Sequence, residues 1–183
     1  MGIRGGIKIY LDAPKPSDFV PELIARTLAN EHRYAGNYGA FSVAQHAVLV
    51  AEWAARAGAN FTDQLAALHH DDTEAITGDL PRPVKDASPG FRELEGRLQD
   101  ALNERYGVDV SSAAVKAADY AVFYSEVQRF VPADAKWIYA DDTKIVPPGR
   151  LLTWAELVPW SADKAYARYM DTHERLERTK HGH

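Results

Sequence analysis

The densest chemistry in the chain lies in "LAALHHDDTEAITGDLP", Leu65 to Pro81, where His69, His70, Asp71 and Asp72 stand side by side and Glu74 and Asp79 follow. The leucine and alanine lead-in predicts a packed helix face, on which a buried carboxylate must be paired, hydrogen-bonded or bound to a metal. Because His70 and Asp71 are adjacent, their side chains diverge by about 100° around a helix axis and reach one ion only if it sits between those directions. A cation lodged between helices meets that condition. Glu74 follows His70 by four residues and Asp71 by three, which returns it to the same side of the helix.

Two further residues can complete a ligand set. His46 sits in "SVAQHAVLVAEWAARAG" with Val43, Leu49, Val50 and Trp53 near it on the helical wheel, so it faces the core or a cleft. Asp119, in "VKAADYAVFYSE", is mid-helix among apolar residues and needs a cation. Imidazoles and carboxylates without a thiolate suit zinc, manganese, cobalt or iron(II), magnesium being less natural on imidazole, with water completing the shell. His69 is kept outside this set, as a group hydrogen-bonded behind the ligands or as a polar neighbour. His32, His173, His181 and His183 are read as ordinary surface or hydrogen-bonded histidines.

The elements that must position these residues follow from composition and punctuation. With 183 residues, 46% of them hydrophobic, the chain can bury one core and is read as one domain, 1–183. A net charge of -5 with scattered basic residues argues against a nucleic-acid footprint but leaves room for a small anionic ligand in one cleft. The absence of cysteine excludes disulfides and thiolate chemistry. No apolar run approaches the roughly 20 residues that span a bilayer, and the start lacks a signal-peptide core, so no membrane is expected and the location is read as cytoplasmic.

"GIKIYLD" alternates like a short strand, and Asp18 to Asn30 reads as a helix behind an Asp cap. Ser42, with Gln45 three residues on, opens a helix that Gly58 ends. Thr62 or Asp63 caps the next, which runs to Gly78. "DLPRPVKDASPG" is predicted to be loop because of its prolines, and Ser88 and Pro89 start a long amphipathic helix closed by Gly107. Ser111 or Ser112 caps a helix to about Val131, residues 134–154 are ambiguous, and a last helix ends the chain. The fold class expected is all-α, with at most a short β-hairpin or strands near the N-terminus.

The order His46, His70-Asp71, Asp119 resembles the H…HD…D signature of the HD-domain phosphohydrolases, helical bundles that bind a divalent metal. "SVAQHAVLVA", "ALHHDDTEAITGDLPRPVK" and "VKAAD" are similar to the corresponding blocks of the bacterial 5'-deoxynucleotidases and the phage dATP triphosphohydrolases. The likeness spans about residues 7 to 131, and the strand, Pro-containing turn, Arg-aromatic pair and Gly-bearing loop ahead of His46 favour the second branch.

The resemblance implies a metal site of His46, His70, Asp71 and Asp119 holding zinc, cobalt or manganese, whose Lewis acidity serves phosphate-ester hydrolysis. It gives Glu74 the role of general base or water-orienting group, with Asp79 a weaker candidate that could also help a second, phosphate-borne magnesium. Arg33 matches the Arg-aromatic pair, Tyr34 beside it could flank a base or sugar, and Lys85 and Lys116 are placed to meet phosphates, with Arg82 an outside candidate. The expected substrate is a small deoxynucleotide, a dNTP cleaved to deoxynucleoside and triphosphate ahead of a dNMP. The compartment would be a bacterial or phage-infected cytoplasm, and apolar helix faces suggest a homo-oligomer. A cyclic- or oligonucleotide phosphodiesterase and a catalytically silent nucleotide-binding domain are the other readings.

Overall fold

The structure, a computed structural model, describes the backbone of residues 2–4, 6–136 and 151–180, and their side chains except at 2–4, 7, 82 and 83. Arg82's side chain, His181 and His183 therefore lie outside what is described, as does most of the ambiguous stretch after residue 134. The molecule is mainly helical. Its only described sheet is an antiparallel hairpin of β1 (Gly2–Arg4) and β2 (Ile7–Ile9), in which Ile3 pairs with Lys8.

Helices α1 (Pro21–Asn30), α2 (Val43–Arg56), α3 (Phe61–His69), α4 (Glu74–Thr77), α5 (Arg82–Ala87), α6 (Phe91–Tyr106), α7 (Ala113–Phe130) and α8 (Ala162–Lys180) follow in order. α2 is the central element: from Val43 to Ala54 only Glu52 is not buried, and α1, α3, α7 and α8 all pack on it. A helix apolar around its whole circumference has no other place to go. Leu49, Leu65 and Leu68 are almost wholly excluded from solvent, each worth about 1.5–3 kcal/mol of transfer free energy. No described helix is long and apolar enough to cross a membrane.

Several boundaries match their sequence signals. Ser42 Oγ accepts from the Gln45 amide at 3.1 Å, Ser112 Oγ accepts from that of Val115 at 3.3 Å, and Gly107 closes α6 in the left-handed conformation. Others differ for physical reasons. α1 starts at Pro21 rather than Asp18, because the proline ring holds Val20 extended; Asp18 instead accepts from the Lys15 amide in a 3-10 turn. Asn60, not Thr62 or Asp63, caps α3 by accepting from the Asp63 amide at 2.8 Å. The segment predicted as loop by its prolines contains α5, since Pro81 precedes it and Pro83 lies in its first turn, where no amide donor is needed. α6 begins at Phe91, behind a left-handed Gly90, rather than at Ser88 or Pro89.

The expected continuous helix up to Gly78 is broken in the HHDD stretch. Past His69 the backbone keeps helical angles but bonds three residues back: Asp72 to His69, Glu74 to Asp71 and Ala75 to Asp72. The His70 ring contributes by donating from Nδ1 to the Ala67 carbonyl at 2.8 Å. This tighter turn, between α3 and α4, carries the candidate ligands.

Candidate metal centre

Four elements converge. His46 comes from the first turn of α2, His70 and Asp71 from the tightened turn after α3, Asp119 from α7, and Arg33 from the loop between α1 and α2. That loop is closed at its neck by the Arg33 amide bonding to the Phe41 carbonyl at 2.9 Å and by a bridge between His32 and Ser42. Inside it Tyr34 and Ala35 take left-handed angles (φ 59° and 52°), which is strained for residues with a Cβ.

The donor atoms form a ring. His46 Nε2 lies 3.1 Å from Asp119 Oδ1 and 3.7 Å from Asp71 Oδ2, and His70 Nε2 lies 3.2 Å from Asp71 Oδ2 and 3.7 Å from Asp119 Oδ1. Donors each about 2.0–2.2 Å from one ion are separated by about 3.0–3.5 Å, which two of these four separations meet while the two at 3.7 Å are slightly wider. The outer nitrogens are already engaged, Nδ1 of His46 with Glu126 at 2.6 Å and Nδ1 of His70 with a carbonyl, so both rings turn Nε2 inward. His70 Nε2 is buried and has no hydrogen-bond partner. Imidazole nitrogens and carboxylate oxygens thus converge on one point, and the His46 Nε2–Asp119 contact is a hydrogen bond at 3.1 Å. The His46, His70 and Asp119 group could hold a metal ion, and Asp71 borders it.

Electrostatics follow from that crowding. Burial presses His46 and His70 towards neutrality, but the facing carboxylates raise both above the ordinary histidine value. Burial likewise opposes the charge on Asp71 and Asp119, yet the imidazoles hold both far below the usual carboxylate range. Each group is therefore stabilised in the form that a cation between them would favour or replace.

Glu126 was not foreseen from the sequence, although it lies seven residues after Asp119 on the same face of α7. It is fully buried and accepts from His46 Nδ1, from Arg33 Nε at 2.9 Å and from Tyr34 Oη at 2.8 Å. Arg33 also reaches Asp71 Oδ2 at 3.4 Å. Burial disfavours the Arg33 charge, but Glu126 and Asp71 more than restore it.

Glu74 is buried at the start of α4, with Lys85 Nζ 3.5 Å from Oε1, while Oε2 is buried without a hydrogen-bond partner. Burial and the charges of Asp71 and Asp79 push its carboxyl well above the ordinary value, against Lys85 and Arg33. Asp79 has a holding position: its Oδ2 accepts from the Tyr34 amide at 3.2 Å, and its own amide donates to Glu31 at 3.3 Å. Lys85 is shared between Glu74 and Glu95, the latter at 2.9 Å. Lys116 is exposed on α7, where its charge acts on Asp109.

His69 and Asp72 turn to the opposite side. His69 Nδ1 donates to Asp72 Oδ2 at 2.7 Å, Tyr169 Oη donates to Asp72 Oδ1, and His69 Nε2 meets His173 Nδ1 at 3.0 Å.

No protein-family profile matches the chain. It is similar to the uncharacterized protein YfdR of Escherichia coli (strain K12), 37% identical over 123 residues, which are 66% of each chain. It is also similar to the uncharacterized protein RCAP_rcc00048 of Rhodobacter capsulatus, 35% identical over 159 residues, which are 79% of this chain and 81% of that one.

Proposed function

For a chain that belongs to the same family as RCAP_rcc00048 of Rhodobacter capsulatus, we propose a metal-dependent phosphohydrolase of deoxynucleotides, with dNTPs of the dATP type as first substrates and deoxynucleoside and triphosphate as products. The observation that carries this reading is the ring of two imidazoles and two carboxylates around His70 Nε2, which has no hydrogen-bond partner, with the partnerless Oε2 of the buried Glu74 three residues beyond Asp71. The likeness of these blocks to the HD-domain phosphohydrolases supplies the substrate class.

His46, His70, Asp71 and Asp119 would hold the ion, and their two nitrogens and two oxygens fit zinc, cobalt or manganese. When bound, it supplies Lewis acidity for polarising a phosphate oxygen and activating water. Glu74, in its carboxylate form, takes the proton of the attacking water, for which its burial makes it a stronger base than an exposed glutamate, and returns it to the leaving oxygen. Arg33, fixed by Glu126, presents positive charge to the phosphate, and Tyr34, with Tyr38 packed edge-on at 5.4 Å, flanks the sugar or base. Asp79 pins the Tyr34 backbone. A second ion, magnesium carried by the phosphates, and self-association of the chain belong to the same proposal, as does action on free nucleotides in a cytoplasm rather than on nucleic acid.

A second reading, a 5'-deoxynucleotidase acting on dNMPs, is favoured by the state of the two lysines. Lys85 is held by two carboxylates and Lys116 is exposed, so neither is committed to a long phosphate chain. The test is a panel of dNTPs, NTPs and dNMPs with added cobalt, manganese or zinc and an EDTA control, products being identified by chromatography. Triphosphate release from dNTPs, abolished by EDTA, is expected. Phosphate release from dNMPs alone would establish the second reading, and inertness towards every substrate with metal retained would leave a silent nucleotide-binding domain.

A further inference from the structure

The outer pair of the HHDD stretch has no place in the hydrolytic proposal, and neither does α8. Yet they meet each other. The Asp72 carboxylate is fully buried, so both oxygens must be satisfied inside the protein. Oδ2 receives the His69 Nδ1 proton, which the Tyr169 oxygen shares at 2.9 Å, and Oδ1 receives the Tyr169 hydroxyl proton. One turn further along α8, His173 bonds to the other side of the His69 ring. On the far face of that ring Tyr106, from the end of α6, stacks at 3.8 Å and 14° from parallel. Burial and the neighbouring His69 push His173 down to about 4, so it enters this chain as a neutral ring at pH 7.

The placement of this network gives it a use. His69 and Asp72 are the first and last residues of the tight turn, and their bond closes across it; His70 and Asp71, whose inward atoms border the ion site, are the two residues between. A turn bonded three residues back has poorer hydrogen-bond geometry than an α-helix, and here side chains brace its shape. We propose that Tyr169 and His173 of α8 are positioning residues of the metal centre, fixing through His69 and Asp72 the angle at which His70 and Asp71 meet the ion. The proposal rests on the reading of His46, His70, Asp71 and Asp119 as a metal site. It also gives the C-terminal helix, remote in sequence from every ligand, a direct part in metal affinity.

The experiment uses the full chain and Co²⁺ as probe, with binding measured by calorimetry and by the visible absorption of the loaded protein. Melting temperatures are measured in EDTA. Tyr169→Phe keeps the ring and removes only the hydroxyl, and it should weaken Co²⁺ binding about 10- to 100-fold, the usual consequence of removing a group behind a ligand, with an altered cobalt spectrum. His173→Gln should act in the same direction and more weakly, and serves if Tyr169→Phe fails to fold. Leu176→Ala, a core truncation of α8 that removes none of the groups bonded to His69 or Asp72, should lower the melting temperature as much or more yet leave Co²⁺ affinity and spectrum unchanged. Wild-type affinity and spectrum in Tyr169→Phe and His173→Gln would overturn the positioning role while leaving the metal site intact. So would affinity losses that track melting temperature alike in all variants. Absence of Co²⁺ binding by the wild type would instead remove the metal site and this role with it.

Discussion

His69 to Asp72 sort into two imidazole-carboxylate pairs built from the same residue types, back to back, with opposite fates. In the outer pair a tyrosine hydroxyl and a neutral histidine bring protons to the waiting lone pairs, and the group is closed. In the inner pair the opposing groups are another histidine and another aspartate, which bring no hydroxyl or neutral donor of their own, and a buried nitrogen, His70 Nε2, is left without a hydrogen-bond partner. What separates a structural hydrogen-bond cluster from a cation site is therefore not the His-Asp pair itself but whether its surroundings supply protons.

The strongest way to break the contrast is to remove candidate ligands from the inner pair or from the groups facing it. Asp71→Ala or His46→Ala should abolish stoichiometric metal and activity together, read by elemental analysis and turnover; an active, metal-free variant would sink the inner site. Next in size, Glu74→Gln should keep its metal but lower kcat by roughly 10² to 10⁴. The same variant tests the electrostatics without metal. Because the Glu74 carboxyl is held above its ordinary value, its contribution to stability is complete in acid and is lost as pH rises through that raised value. In EDTA the melting temperature of Glu74→Gln should accordingly hold on the alkaline side where the wild type declines. Parallel curves would mean that the carboxyl is not perturbed.

Glu126→Gln should cost about 10- to 100-fold in metal affinity, since the neutral amide is a poorer acceptor for His46 Nδ1 and releases Arg33. Smallest is Lys116→Ala: an exposed cation is worth at most about 1 kcal/mol, so KM should rise no more than about fivefold. A larger effect on dNTPs than on dNMPs would favour the triphosphate reading, and an equal effect the monophosphate one.

How much of this was readable beforehand depends on range. Ser42 and Ser112 announce their helices because a cap acts within three residues, and the candidate ligands are legible because imidazoles and carboxylates on otherwise apolar faces demand a partner, although the Asp119 side chain, expected to be buried, stays 42% exposed. α5 was missed by treating prolines as breakers at the one helical position that tolerates them. Glu126 was missed because a glutamate on a long helix looks like a solvated one; its spacing from Asp119 was the available sign. The role of His69 was unreadable in principle, since its partners, Tyr169 and His173, lie about a hundred residues away and only the packing of α8 on α3 brings them near.

The left-handed turn at Tyr34 and Ala35 carries a last implication. Holding two residues with a Cβ in that region costs about 1–2 kcal/mol each. Tyr34 donates its amide to Asp79 and its hydroxyl to Glu126, two carboxylates of the site, and its carbonyl accepts from the Asn37 amide within the loop. The strained turn is thus tied to the acidic groups behind the candidate ligands. Were a cation to settle between the candidate ligands, the charge it brings would bear on Glu126 and Asp79 and through them on the left-handed turn, linking occupancy of the site to the shape of this loop.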